Sequence, residues 1–176
     1  IHTKNMNTMK KIGIILLVFG ISVASAQKIG YIEMERIVEK MPEYETAIDA
    51  IDAQAKAWEA ELNKKFEDIE SMYQEYVASE SSFNADMRQQ KQNAIIEAEK
   101  KANAYKEEKF GQEGEITEVQ ESKLKPIYDK VLLSAEKVAI ENGFDHVFDK
   151  SADSQWIYTN PEMDITEKVI IDLNLE

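Results

Sequence analysis

The feature that most constrains this chain is an apolar stripe running from Ile48 to Tyr73 with neither glycine nor proline inside it. Ile48, Ile51, Ala55, Trp58, Leu62, Phe66, Ile69 and Tyr73 recur at spacings of three and four, the period that keeps side chains on one face of a helix. Between them lie Glu, Lys, Gln, Ala and Asp, which suit a solvated helical surface. A helix over Ile48–Val77 reaches about 45 Å at 1.5 Å per residue, longer than a small domain is wide. Such an element has to project, and its stripe has to find a partner.

The partner follows in the chain. The Ser-rich polar run Val77–Asn84 reads as a turn. Helical character resumes near Ala85, through Met87, Ala94, Ile95, Ala98, Ala102 and Tyr105. It continues through Ile116, Val119, Leu124, Ile127, Val131, Leu132, Ala135 and Val138, and Gly143 after Asn142 is a C-terminal stop. Gly111, Gly114 and Pro126 interrupt this return path. Each costs about 1–3 kcal/mol in a helix interior, so a bend or short break is expected there.

The flanks read differently. Lys28–Glu33 is a short strand, Met34–Met41 a turn or two of helix, and Pro42 sits where a helix restart tolerates proline. After Gly143, Phe144–Phe148 alternates as a second strand, Lys150–Ser154 is turn-like, and Gln155–Thr159 is a third β-rich run ended by Asn160-Pro161. Asp164 with Glu167 resembles a capping box opening a short helix that ends at Leu173. The expected architecture is α+β and mostly α: a long antiparallel coiled-coil hairpin, residues 43–142, projecting from a small β-sheet body made of residues 27–42 and 143–176. Three short strands leave unpaired edges and a body this small has little core, and association of copies relieves both deficits.

The N-terminus belongs to a different category. Met9-Lys10-Lys11 gives a positive start, Ile12–Val23 is apolar, and Ala24-Ser25-Ala26 has the small-x-small pattern of a cleavage site before Gln27. The apolar run is shorter than the roughly 17–25 residues that span a membrane. Residues 1–26 are therefore expected to be an export signal, with the start at Met6 or Met9 and an over-extended frame before it. The alternative is an uncleaved anchor tethering a coiled-coil structural protein of the cell envelope. Removing residues 1–26 takes away Lys4, Lys10 and Lys11 and no acid, which moves the net charge from −13 to −16.

Charge and composition exclude several function classes. An acidic chain lacks the basic patch that nucleic-acid binding requires. With no cysteine there are no disulfides, thiolate metal sites or lipidated cysteine. The histidines are His2 and His146, too few for a histidine metal cluster or a nucleophile–base system, so neither catalytic residues, metal nor cofactor are expected. His146 reads as a sheet-face residue. Asp145, Asp149 and Asp153 read as turn and surface acids, because the glycine and terminal glutamate of a calcium loop are missing. The outer arm, residues 64–109, is nearly balanced at −2, and the acidity lies in the arm base and body.

In this order, KIGYIEMERIVEKMPEYE, a long helical hairpin, KPIYDKV, ENGFDHVFDKS and WIYTNPEMDITEKVI, the mature chain resembles the Skp/OmpH family of periplasmic chaperones. The resemblance runs from Lys28 to about Leu173. It implies a homotrimer whose body is built from all three chains and whose arms enclose a cavity. It also implies ATP-independent holding of unfolded outer-membrane β-barrel proteins in the periplasm. The best-known members are basic, so their binding of lipopolysaccharide or lipid is not carried over to this acidic chain. A holdase works through weak, adaptable contacts. The candidates for client contact are Met72, Tyr73, Tyr76, Phe83 and Met87 near the arm tip. Ile29, Tyr31, Val147, Phe148, Trp156 and Tyr158 are the candidates for body and subunit contacts.

Overall fold

The computed structural model describes residues 27–151 and 156–175. The expected signal segment, its cleavage before Gln27 and the alternative anchor all lie outside the described residues. The elements in order are β1 (Ile29–Ile32), α1 (Met34–Val38), α2 (Pro42–Ser79), a 3-10 turn (Glu80–Ser82), α3 (Ala85–Phe110), α4 (Glu115–Glu141), β2 (His146–Asp149), a 3-10 turn (Pro161–Met163) and α5 (Thr166–Asp172). Among the described residues no helix is long and apolar enough to cross a membrane.

The two strands pair in parallel, Ile29 opposite His146 and Ile32 opposite Asp149. A parallel pair needs a crossover connection, and here the crossover contains the whole helical excursion. β1 is bridged on its other side at Asp164, where the Ile165 amide donates to the Tyr31 carbonyl at 3.0 Å. Side chains complete the tie: the Glu33 amide donates to Thr166 Oγ1 at 2.9 Å, and the Met34 amide to Asp149 Oδ1 at 3.1 Å.

The expected third strand is absent among the described residues. Trp156–Thr159 forms no ladder, and the sheet has two strands. The run has the composition of a strand, but it pairs with the edge of neither strand, and Ile157 and Tyr158 stand in solvent. β-Propensity without a pairing partner does not make a strand.

The core lies beneath this sheet. Ile32, Ile37, Val38 and Met41 from the first segment meet Val131, Ala135 and Val138 of α4 and Ile165, Val169 and Ile170 of α5. Ala47 at the start of α2 and Ile127 on α4 complete the cluster. The core therefore draws on the second half of α4, a stretch that periodicity alone groups with the arm. Ser134 Oγ donates to Asp172 at 2.7 Å and Lys137 pairs with the same carboxylate, clamping α5 onto α4. Those two donors hold the Asp172 carboxyl below the ordinary aspartate range.

α2 is one helix of 38 residues, about 57 Å long. Pro42 occupies its first turn, where the missing amide has no helical partner anyway. Asn84 caps α3, its side chain accepting from the Met87 amide at 2.8 Å. Asn84→Ala is expected to lower hydrogen-exchange protection in the first turn of α3 by roughly 2- to 30-fold, the equivalent of about 0.5–2 kcal/mol for a lost cap. Gly143 follows α4 with φ +67, a conformation that favours glycine.

The two expected interruptions of the return path behave differently. Gly111–Gly114 separates α3 from α4, whereas α4 runs through Pro126 without a break. The carbonyl that loses its donor belongs to Ser122, and both Ser122 and Pro126 are exposed, so water can satisfy it.

Candidate functional site

The arm is α2 packed against α3 along its outer part and against the start of α4 nearer the body. The inward side of α2 is a seven-residue repeat. Ile51, Ala55, Trp58, Leu62, Lys65, Ile69, Met72 and Tyr76 are all buried or half-buried, at alternating spacings of four and three. α3 answers with Lys91, Ile95, Ala98, Ala102, Tyr105 and Lys109. This differs from the apolar stripe of the sequence. Phe66 and Tyr73 turn outward, at 42% and 56% exposure, and Lys65 takes an inward place. A residue's position in the repeat depends on where the partner helix lies, and aliphatic stems of lysine can line a seam while their ammonium reaches water.

Polar contacts set the register of the hairpin. Lys91 pairs with Glu75 at 2.8 Å, and Gln92 donates to the Tyr76 hydroxyl at 2.8 Å. Further down, the Tyr105 hydroxyl donates to Glu61 at 2.9 Å. Burial and this bond to a carboxylate push the Tyr105 phenol above its ordinary range.

The tip candidates divide by environment. Tyr76 is buried, its ring tilted against Phe83 with centroids 6.0 Å apart, so it pins the two helices together. Met72 and Phe83 are half-buried. Tyr73 and Met87 are exposed. Phe66, Val77 and Ile96 are exposed on the same outer arm and were not among the candidates. The signal that could have found them is the helical repeat itself: an ideal helix drifts about 20° per heptad, so apolar residues one place off the seam emerge at its edge.

The body candidates divide in the same way. Tyr31 is buried and Val147 packs on the core. Ile29, Phe148, Trp156 and Tyr158 are exposed. Phe148 lies between His146 and Trp156, with centroids 6.5 and 6.3 Å away. Leu132, Leu133 and Ile140 on the outer side of α4 are exposed as well. A groove of about 400 Å³ between α4 and β2 joins the two sets, lined by Leu132, Ile140, Phe144 and Phe148. Glu136, Asp145, His146 and Asp149 line the same groove. His146 stands exposed on the sheet, Asp145 accepts from the Lys28 amide and Asp149 from the Met34 and Ser151 amides. Asp153 lies outside the described residues. Among the described residues no group of three or more His, Asp or Glu side chains is arranged to hold a metal ion.

Three comparisons bear on this geometry. The family model described as "Outer membrane protein (OmpH-like)" matches residues 28–173. The chain is 25% identical over 145 residues to the chaperone protein Skp of Yersinia enterocolitica, covering 82% of this chain and 85% of that protein. A crystal structure of an OmpH-like protein from Caulobacter crescentus, described as a candidate outer-membrane chaperone, superposes with a TM-score of 0.67 at 15% identity. The match covers 85% of both chains, a likeness of fold.

Proposed function

Since the chain belongs to the OmpH-like family of outer membrane proteins, we propose that it is an ATP-independent holdase of the periplasm. In this reading it binds unfolded outer-membrane β-barrel proteins and keeps them from aggregating. The observation that carries the reading is the outer arm: a two-helix projection clear of the core, with Phe66, Tyr73, Val77, Met87 and Ile96 left in solvent. Spaced apolar and amphipathic side chains on a long arm make many weak contacts and no deep pocket. That suits a client without fixed shape. The near-balanced charge of residues 64–109 keeps the arm from repelling either sign of client segment, while the acidic body disfavours anionic lipid surfaces.

The working form is a homotrimer with arms around a common cavity. Among the described residues β2 has one strand neighbour and an open outer edge, and Phe148, Trp156, Ile157, Leu133 and Ile140 are exposed. Neighbouring copies supply a partner for both the edge and the apolar surface. Export through residues 1–26 belongs to the same reading.

The test is refolding by dilution. A urea-unfolded outer-membrane β-barrel protein is diluted with and without the mature chain, without nucleotide, and light scattering is followed. Suppression of scattering by a stoichiometric excess of trimer is expected. Unchanged aggregation rejects the holdase reading. A light-scattering mass other than three chains rejects the trimer.

A further inference from the structure

The arm is asymmetric in a way that bears on its motion: α2 is continuous, and the path beside it is interrupted once, at Gly111–Gly114. Two helices packed side by side about 9 Å apart cannot bend in their common plane without a change in relative length. A 20° bend demands about 3 Å, the rise of two helical residues. A hydrogen-bonded helix does not stretch by that amount, but a four-residue link can take it up.

The link is built tightly. Gly111 and Gly114 have extended ψ values of 175 and 161. A Cβ on Gly111 would lie 2.4 Å from the Glu107 carbonyl oxygen, and one on Gly114 would lie 2.9 Å from the Lys109 carbonyl. Both clashes are with the backbone that ends α3, so glycine is what lets the chain leave that helix this sharply.

Lys109 sits across the gap. Its ammonium is 2.5 Å from Glu115 in the first turn of α4 and 2.7 Å from Glu108 on α3. It also lies over the rings of Trp58 of α2, at 5.4 Å, and Tyr105, at 5.5 Å. Trp58 meets Phe110, the last residue of α3, edge-on at 6.1 Å. One cation thus contacts all three helices, and 13% of its side chain is exposed. Its partner Glu115 is 42% exposed, close to the 43% of Lys91 in the Lys91–Glu75 pair, but neither that pair nor Lys125–Asp129 ties a break. Glu115 is well placed twice, beside the lysine and at a helix N-terminus.

We propose that Gly111–Gly114 is an expansion joint about which the outer arm bends against the body, and that Lys109 is the latch that holds the joint in the geometry seen here. The proposal concerns the free chain and does not depend on what the arm binds. The outer arm beyond the joint spans the 26 residues of α3, about 39 Å, so a 20° bend moves the tip by about 13 Å.

The bend changes the length of the link, and amide hydrogen exchange in the link reports it. The Gly111 amide donates to the Glu107 carbonyl at 2.8 Å and the Gly114 amide to the Gly111 carbonyl at 2.9 Å, and both bonds lie where the joint opens. Slow exchange at these two amides is expected for the parent. Lys109→Met should speed it by about 2- to 5-fold at unchanged helicity. Glu115→Gln, which removes the tie across the gap together with a favourable charge at the N-terminus of α4, should speed it as well. Lys125→Met, within one helix, should leave it unchanged. If Lys109→Met loses helicity, Glu115→Gln decides. Three results overturn the latch: unchanged exchange in Glu115→Gln, exchange in the parent already as fast as in an unstructured peptide, or equal acceleration in Lys125→Met.

Discussion

A chain from which residues 66–101 are removed, with Lys65 joined to Ala102 through a short Gly/Ser link, is expected to fold and to associate as the full chain does. It should lose protection of unfolded clients entirely. The cut lies outward of the Glu61–Tyr105 bond and the Trp58–Phe110 contact, so the lower arm keeps its register. The core residues on α2 and α4 are untouched, and a link of a few residues spans two packed helices. The excised segment holds the five exposed apolar residues on which the holdase reading rests. Scattering in the dilution assay should then match the control without chaperone, while circular dichroism and molar mass report an intact body. Single substitutions should do far less. Tyr73→Ala or Met87→Ala removes one exposed contact of many and should cost under about 1 kcal/mol in client affinity. A single substitution that abolished protection would argue for a defined pocket instead.

Ile37→Ala is expected to give the largest loss of stability, roughly 2–5 kcal/mol, seen as a lower urea midpoint at unchanged slope. Ile37 is fully buried in α1, a helix of five residues without a side-chain N-cap. Such a helix has little stability of its own and persists because Ile37 and Val38 are buried against α4 and α5. The neighbours that would have to close over the cavity are held by the Thr166 and Asp149 hydrogen bonds, so collapse is limited. A body of this size has a total stability of about 5–15 kcal/mol, so the loss is a large fraction of it. Ile96→Ala, half exposed on the arm, should cost less than about 1 kcal/mol.

The readings that agree with the structure rest on local rules. Pro42 at a helix restart, Gly143 after α4 and the interruption at Gly111–Gly114 each follow from the conformational limits of single residues. The candidate residues were less legible. Tyr73 and Tyr76 are both aromatic and three apart, yet one is exposed and the other pinned between helices. Nothing in either residue distinguishes them; the position of α3 does. Trp156-Ile157-Tyr158 looks like a strand and is not one here, because β composition makes no strand until a second segment pairs with it.

By itself, then, the amino-acid sequence determined a long helical excursion between two short β segments, because periodicity, capping and helix breaking act within a few residues of chain. The tertiary structure decided which side of α2 is the seam, that β1 and β2 pair in parallel, that half of α4 belongs to the body, and that Lys109 spans a gap between three helices. Each of these depends on residues distant in the chain being brought together. Lys109 and Glu115 are ordinary surface residues in the sequence, and only the meeting of α2, α3 and α4 makes them a half-buried tie.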